Sequence, residues 1–122
     1  MIRAVPKRTG YKTGLAAESL CRLALRLKFY RILASRYKTP MGEIDIVAAR
    51  GNTIVAVEVK ARATRDEAVE SISKQQRARI ERALQGFIMR NPRLHRHNLR
   101  FDVMLATPFR WPAHIVNAWH AD

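Results

Sequence analysis

Residues 42–60 read GEIDIVAARGNTIVAVEVK, and the apolar residues of this stretch alternate with charged ones near both ends. By the two-residue period of a strand, Glu43 and Asp45 share one face, and Glu58 and Lys60 share another. The RGN sequence between the two halves has the composition of a tight turn. The stretch therefore predicts a β-hairpin that carries charge where a strand normally carries apolar side chains.

The charged ends of this hairpin can be interpreted in two ways. In the register that places the charged faces side by side, three carboxylates and one ammonium meet. The alternative is an ordinary hairpin with one solvated face, on which Glu and Lys only promote solubility. The chain holds 10 Asp and Glu against 23 Lys and Arg, yet three of those ten acids lie in this hairpin. Because acids gathered in a basic chain favour cation binding, we predict a metal site here.

The charge of the whole chain indicates a polyanionic partner. The 122 residues carry a formal net charge of +13, and a field of that sign concentrates phosphates. Nucleic acid is the first expectation, and an anionic membrane surface is the rival. The sequence has no run of about 18 apolar residues that would predict a membrane span. Its opening, MIRAVPKRTGYK, lacks the apolar region of a signal peptide. We therefore expect a cytoplasmic protein without a membrane partner.

The length fits one domain, which we place at residues 13–122. Residues 1–12 form a basic arm that Pro6 interrupts. We expect this arm to be mobile, either as an idle terminus or as a tail that contacts phosphates through Lys7 and Arg8.

A first helix is predicted from Thr13 to Lys28, because apolar residues recur there at helical spacing. Glu18 falls at the edge of the apolar face. It is either a first-turn acid favoured by the helix dipole or a side chain that leans over the sheet toward the hairpin carboxylates. Cys21, the only cysteine, is predicted as a small core residue and not as a nucleophile. The predicted inward stripe comprises Ala16, Leu20, Leu23, Ala24 and Leu27, widened on one side by Ala17, Cys21 and Leu25.

A second long helix is predicted from Glu67 to Arg90, where Asn91 and Pro92 stop it. Gln76 falls within its inward apolar stripe, whereas Lys74, Arg77 and Glu81 are expected on the solvated side. The other expected segments are a strand at 31–38, a turn at 39–42, a polar loop at 61–66, a basic loop at 93–97 and a strand at 99–106.

The last segment, TPFRWPAHIVNAWHAD, is too apolar for disorder and is expected to pack on the body of the domain. Trp111 and Trp119 are predicted to lie in the core, with base stacking as the alternative role. The four histidines of the chain lack the ligand pattern of a zinc site.

The order helix, three strands, helix, strand carries several motifs that together resemble one family. They are the Gly14–Glu18 segment at the opening of a helix, GEIDIVA, AVEVKAR, KQQR and RFDV. These resemble the YraN-like family of uncharacterised bacterial proteins over residues 14–106. That family is similar to archaeal Holliday junction resolvases within the restriction-endonuclease-like PD-(D/E)XK superfamily. The chain departs from the pattern at Phe29, where a helix-ending Gly is usual, and at Arg36, where Asn is frequent. It also has Ile44 at the position before the first Asp, where the superfamily has Pro. We expect the first two to matter little for chemistry.

The resemblance implies an α/β, restriction-endonuclease-like fold, with a central mixed β-sheet flanked by helices in the order αβββαβ. It also implies Asp45 and Glu58 as metal ligands, Lys60 as the catalytic lysine and Glu18 as the helix acid that completes the site. The role of Glu43 is left open: it either supports the direct metal ligands from behind or binds the metal through a water molecule. The implied cofactor is Mg²⁺ or Mn²⁺, which supports phosphodiester hydrolysis.

Two hypotheses of different classes follow. The first is a metal-dependent endonuclease that acts on structured or branched DNA, and the alternative is a non-catalytic nucleic-acid-binding protein of the same fold. RNA remains open as a partner, and so does a homodimer, since two symmetric cuts would need two sites. The residues expected to contact nucleic acid are Lys74, Gln76, Arg77, Arg62, Lys7 and Arg8.

Overall fold

The computed structural model describes the backbone of residues 4–121 and the side chains of residues 14–121. Between Pro92 and Leu94 the chain forms one turn of 3-10 helix. Among the described residues, no helix is both long and apolar enough to cross a membrane. The regular elements in chain order are α1 (Ala4–Leu27), β1 (Arg31–Lys38), β2 (Glu43–Arg50), β3 (Thr53–Lys60), α2 (Arg65–Glu70), α3 (Lys74–Met89), β4 (Asn98–Leu105) and β5 (Ala113–Trp119).

The strands form one sheet in the order β1-β2-β3-β4-β5. All neighbours are antiparallel except β3 and β4, which run parallel. A parallel pair needs a crossover, and α2 and α3 supply it. The structure thus confirms an α/β fold with a mixed sheet flanked by helices. The predicted order αβββαβ lacks two elements, because the apolar tail packs on the body as a fifth strand and the crossover contains two helices.

The division of the crossover follows from its capping residues. Thr64 and Glu67 form a capping box, in which each side chain bonds the backbone N–H of the other, so α2 begins within the predicted loop. The side chain of Ser73 accepts a hydrogen bond from the N–H of Gln76 and starts α3. The single helix predicted from Glu67 to Arg90 is therefore wrong, since residues 71–73 interrupt it.

Each face of the sheet has its own core. The α1 face is covered by Cys21, Ala24 and Leu25, which pack on Ile46 and Val57. The opposite face is the larger core, and α2 and α3 cover it with Ala68, Ile72, Ile80, Ala83, Leu84 and Phe87. Charged residues at the ends of β2 and β3 thus lie in a sheet that is covered on both faces.

The inward face of α1 is the widening side of the predicted stripe and not its centre. Cys21 and Leu25 are fully buried, whereas Leu23 is 46% exposed and Leu27 is 64% exposed. The helix also begins at Ala4 instead of Thr13. The side chains of the predicted basic arm lie outside the described residues, so its contacts with phosphates remain a prediction.

Two departures from the family pattern coincide with left-handed backbone. Phe29 has φ 70° and Arg36 has φ 51°, a region that favours Gly or Asn. The N–H groups of Phe29 and Tyr30 donate to the carbonyls of Arg26 and Leu25, both at 3.0 Å. This is a Schellman cap with Phe in the position where Gly is usual.

Candidate active site

The hairpin of β2 and β3 brings Asp45 and Glu58 together. Backbone pairing ends at Ile46, which lies opposite Val57. Beyond that pair the carboxylates replace the carbonyl acceptors: the N–H of Asp45 donates to Glu58 Oε2 at 3.2 Å, and the N–H of Val59 donates to Asp45 Oδ2 at 2.8 Å. The side chains therefore hold the two strands where the regular ladder has stopped.

The two carboxyls lie in an environment that disfavours negative charge. Glu58 is 4% exposed, and Asp45 is half-buried. Burial raises the pKa of Asp45 to about 6; the hydrogen bond from Val59 opposes this shift and the charge of Glu18 adds to it. Burial, followed by the charge of Asp45, raises the pKa of Glu58 well above its usual value. A cation between these groups would relieve both effects.

Lys60 and Glu43 flank this pair at the ends of their strands. The ammonium of Lys60 lowers the pKa of both Asp45 and Glu58, whereas the charge of Glu43 raises both. Lys60 is half-buried as the last residue of β3, and Glu43 is exposed as the first residue of β2. Of these two flanking residues, Lys60 thus combines a positive charge with partial burial beside the carboxylates.

Glu18 reaches the same region from α1. It is 7% exposed, and its charge is among the causes that raise the pKa of both Asp45 and Cys21. Because α1 begins at Ala4, Glu18 lies far from the first turn. The interpretation as a dipole-favoured terminal acid is therefore wrong, and Glu18 faces the sheet.

The carboxylate of Glu18 is engaged by Arg36. Arg36 Nε donates to Glu18 Oε1 at 3.0 Å, with both side chains largely covered. Arg36 was expected to matter little for chemistry, but its guanidinium contacts one of the four expected site residues. Arg36 supplies positive charge where a third acidic ligand was expected.

Cys21 lies beside these acids in the core under α1. It is fully buried, which confirms it as a core residue. Burial, with the charges of Glu18 and Asp45, raises the pKa of its thiol to about 12. The thiol therefore stays neutral at physiological pH and is a poor nucleophile.

A polar cleft of about 540 Å³ opens beside Glu43, between the β1–β2 turn and the start of α3. Gln76 lines this cleft and is half-buried, as predicted from its place on the apolar stripe. The cleft depends on Gly42, because an added Cβ there would lie 2.9 Å from the carbonyl oxygen of Arg79. Gly42 thus permits the close approach of the turn to α3 that places Glu43 on the cleft wall.

The predicted nucleic-acid contacts divide into three groups. Lys74 and Arg62 are exposed, while the side chains of Lys7 and Arg8 lie outside the described residues. Arg77 was expected on the solvated side but is half-buried.

The guanidinium of Arg77 closes the end of α2. Its Nε donates to the carbonyl of Ile72 at 3.0 Å and its Nη2 to that of Val69 at 3.1 Å. It also lies 5.4 Å from the ring centroid of Trp119. The predicted solvated position of Arg77 is wrong because the helix is interrupted before α3, and this interruption places the carbonyls of Val69 and Ile72 beside the guanidinium.

Sequence reasoning missed a second charged cluster, which is centred on Asp102. This residue is fully buried on β4, and Arg100 donates to both of its oxygens at 2.9 and 2.8 Å. His114 Nε2 lies 2.7 Å from Oδ2, and the N–H of Asn117 donates to Oδ1 at 2.9 Å. Burial alone would raise the pKa of Asp102, but these hydrogen bonds outweigh it and lower the pKa. An Asp inside an apolar strand and a His inside an apolar tail were the available signals.

A divalent cation would have a limited set of protein ligands here. Among the side chains of residues 14–121, no three His, Cys, Asp or Glu converge as a metal site. The structure brings together Asp45 and Glu58 and leaves Glu18 with Arg36 and Glu43 on the rim. Two carboxylates nonetheless fit Mg²⁺ or Mn²⁺, since Mg²⁺ commonly takes one or two carboxylates and completes its shell with water and phosphate oxygens.

Comparison with known proteins places this site within a family. The model of an uncharacterised protein family, UPF0102, matches residues 17–106. The chain belongs to the UPF0102 family. This confirms the YraN-like resemblance. The matched UPF0102 region includes Glu18, Asp45, Glu58 and Lys60 but ends before β5.

Relatives named UPF0102 proteins align over most of the chain. One from Parvibaculum lavamentivorans is 50% identical over 109 residues, which are 89% of this chain and 82% of the relative. One from Chelativorans sp. is 45% identical over 115 residues, 94% and 93% of the two chains. One from Paramagnetospirillum magneticum is 48% identical and covers 91% and 89%. The similarity thus extends over 82% to 93% of the length of these UPF0102 proteins.

Proposed function

We propose that this protein is a metal-dependent endonuclease that hydrolyses phosphodiesters in structured or branched DNA. One observation carries the proposal: Asp45 and Glu58 are adjacent, share a covered site and have raised pKa values, and the cation of Lys60 lies beside them. Raised pKa values beside a cation are typical of functional sites. Both carboxylates lie beyond the last regular pair of the ladder, Ile46 and Val57.

The residues would divide the chemistry as follows. Asp45 and Glu58 would hold Mg²⁺ or Mn²⁺, and the bound ion would supply charge stabilisation at the phosphoryl oxygens and a water of lowered pKa. Lys60 would orient the attacking water or donate to the phosphoryl oxygens, where negative charge develops. Glu43 would bind through water on the open side, and Gln76 would position phosphate or water in the adjoining cleft.

Nucleic acid as the partner is supported by charge. The chain carries 23 Lys and Arg against 10 acids, and the exposed Lys74 and Arg62 lie on the segments that follow the site. Phosphate contacts of this kind are independent of sequence. They fit a substrate chosen by DNA shape, with RNA as a further partner class.

A second candidate function is non-catalytic nucleic-acid binding. The observation that favours it is the ion pair of Arg36 with Glu18, which replaces a third acidic ligand by an internal salt bridge. A protein of this kind would keep the fold and the basic surface without hydrolysis.

A cleavage assay separates the two functions. Labelled linear, flapped and four-way DNA are incubated with Mg²⁺ or Mn²⁺ and with the wild type, Glu58→Ala or Glu70→Ala, the last an exposed acid of α2. We expect cleavage of the branched substrates by the wild type and Glu70→Ala, and none by Glu58→Ala. Activity equal in all three preparations, or absent from all, would overturn the proposal in favour of the binding function.

A further inference from the structure

An apolar groove of about 490 Å³ lies between α1 and the connection that joins β4 to β5. This volume is within the range of small-molecule sites. Its apolar lining comes from Ala17 and Leu20 on α1, Ala61 after β3, Ala106 after β4, and Phe109 and Trp111 in the connection.

Two aromatic rings of this groove face solvent. Phe109 is fully exposed and Trp111 is 56% exposed, whereas Trp119 is 6% exposed and stacks on Phe101 at a centroid distance of 5.3 Å. The expectation of a core position therefore holds for Trp119 and is wrong for Trp111. Large exposed aromatic side chains grouped on one concave surface mark an interaction site.

The groove adjoins the candidate active site through the chain itself. Ala17 precedes Glu18, and Ala61 follows Lys60. Because β3 and β4 are parallel, Ala61 and Ala106 lie at the same edge of the sheet, where the N–H of Ala106 donates to the carbonyl of Lys60 at 2.9 Å. Ligands of α/β sheets commonly bind at this edge.

We propose that the groove accepts an unstacked nucleobase from a single-stranded segment next to the scissile phosphate. This inference rests on the proposed function and deepens it, because it makes an unpaired base part of the substrate. Exposed Trp and Phe rings stack on bases of any sequence. Arg110 lines the groove and Arg62 is exposed one residue beyond Ala61, so cations lie at its rim where the strand's phosphates would pass.

A second copy of the chain is the competing occupant, because Leu23 and Leu27 are also exposed on α1. Charge argues against it. Each copy carries +13, and Arg22 and Arg26 lie beside these leucines along the helix, so like charges would meet in a pair. A phosphate backbone has the complementary charge.

The test uses the two tryptophans as reporters. Binding of a 20-nucleotide oligo-dT and of a 20-base-pair duplex is measured in EDTA by tryptophan fluorescence and by anisotropy of the labelled DNA. We expect oligo-dT, but not the duplex, to quench the wild-type signal. Trp111→Ala should abolish the quenching and weaken oligo-dT binding on the order of fivefold or more, with a change below twofold for the duplex. Phe109→Ala should also weaken oligo-dT binding.

Phe29→Ala is the matched control. Phe29 is an aromatic residue that is 85% exposed, has positive φ and follows the C-terminal end of α1, outside the groove. This variant should leave both affinities unchanged. Unchanged oligo-dT affinity in Trp111→Ala, or equal losses for oligo-dT and duplex, would overturn the inference. So would a dimer in sedimentation that Trp111→Ala converts to a monomer, because the groove would then hold a second copy.

Failure here is distinct from failure of the proposed function, because the binding assay contains no divalent metal. If Trp111→Ala selectively loses oligo-dT binding but the wild type cleaves nothing with Mg²⁺, the base-binding groove is supported and the nuclease function is overturned. Cleavage of branched DNA at the wild-type rate by Trp111→Ala would overturn the base site and retain the nuclease.

Discussion

Asp45 binds its proton more tightly in the folded chain than in the unfolded one, since burial raises its pKa to about 6 from an ordinary value of 3.8. Between those pH values the folded state carries more protons, so the free energy of unfolding of the metal-free protein should fall as the pH rises from about 4 to above 6. Asp45→Asn removes this loss. For the metal-free protein, we therefore compare the free energy of unfolding of Asp45→Asn with that of the wild type at each pH. This difference should shift in favour of Asp45→Asn by about 2 kcal/mol between pH 4 and pH 8.

Urea midpoints measured from pH 4 to 8 in EDTA check this expectation. Asp66→Asn, an exposed acid of α2, is the control and should follow the wild type. A difference between wild type and Asp45→Asn that does not change with pH would contradict the assigned environment of Asp45.

The ion pair of Arg36 with Glu18 would compete with a divalent cation bound by Asp45 and Glu58. Arg36→Asn should release the Glu18 carboxylate toward Asp45, and Asn tolerates the φ of 51° at this position. We expect the affinity for Mn²⁺, measured by calorimetry, to rise severalfold because a third negative charge then faces the ion. Arg31→Asn, an exposed site on the same strand, should have no effect. Weaker Mn²⁺ binding by Arg36→Asn would show that Glu18 is not a potential ligand.

The β2–β3 hairpin that brings Asp45 near Glu58 was predictable from the sequence, but the contact itself lies beyond the last regular pair, Ile46 and Val57. The contacts of Arg36 with Glu18, and of Asp102 with His114 and Asn117, depend on how α1 and β5 sit on the sheet. No local pattern encodes those placements. Asp102 shows the limit clearly, since its partners His114 and Asn117 come from a strand that the sequence reading described only as a packed tail.

At the scale of elements, β5 is attached to β4 through a buried charge. Asp102 joins Arg100, His114 and the backbone of Asn117. Asp102→Asn leaves Arg100 without its carboxylate partner and should destabilise the fold by about 3–5 kcal/mol. Urea denaturation measures the loss. Relative to the wild type, the same variant should show a larger increase in amide hydrogen exchange in β5 than in β2.

The pH dependence of this contribution has the sign opposite to that of Asp45. Because its pKa is lowered in the folded state, Asp102 stabilises the protein above its unfolded pKa, and this stabilisation is lost as the pH falls through the folded value. The wild type and Asp102→Asn should therefore approach each other in stability in acid. A destabilisation within 0.5 kcal/mol, as expected for exposed Asp66→Asn, would mean that β5 is held by packing alone.

For the helices, hydrophobic periodicity alone predicted neither the buried face of α1 nor the break in the crossover. The stripe on α1 is apolar over more than half its circumference, so the sequence alone does not decide which part meets the sheet. The inward side is the one that brings Glu18 and Cys21 over the strands. In the crossover, the caps at Thr64 and Ser73 decide the break, and both residues are visible in the sequence. Their signal was outweighed there by the continuous apolar spacing.

The whole molecule should bind DNA with a steep dependence on salt. With +13 spread over 122 residues, even four phosphate contacts would weaken binding about a hundredfold between 50 and 200 mM salt, because counterions are released from the DNA. Anisotropy titrations on unrelated duplex sequences at several salt concentrations test this. Lys74→Ala should reduce the slope by about 0.9 if it contacts one phosphate. A DNA affinity that does not change with salt concentration, or a strong preference for one linear sequence, would contradict an electrostatic mode of binding.

Lys60 is proposed to act on the reacting phosphate beside a metal held by Asp45 and Glu58. The most direct measurement is the single-turnover cleavage rate of four-way DNA with Mg²⁺ or Mn²⁺ for the wild type, Lys60→Ala and Lys38→Ala. Lys38 is the matched control because it ends β1 as Lys60 ends β3 and is exposed. Each variant removes one positive charge of many, so both should bind DNA almost as tightly as the wild type.

We predict that Lys60→Ala cleaves on the order of a hundredfold more slowly than the wild type, since it loses a preorganised donor aimed at the phosphate. Lys38→Ala should cleave at the wild-type rate. Equal cleavage by the wild type and Lys60→Ala at equal DNA affinity would exclude a catalytic role for Lys60.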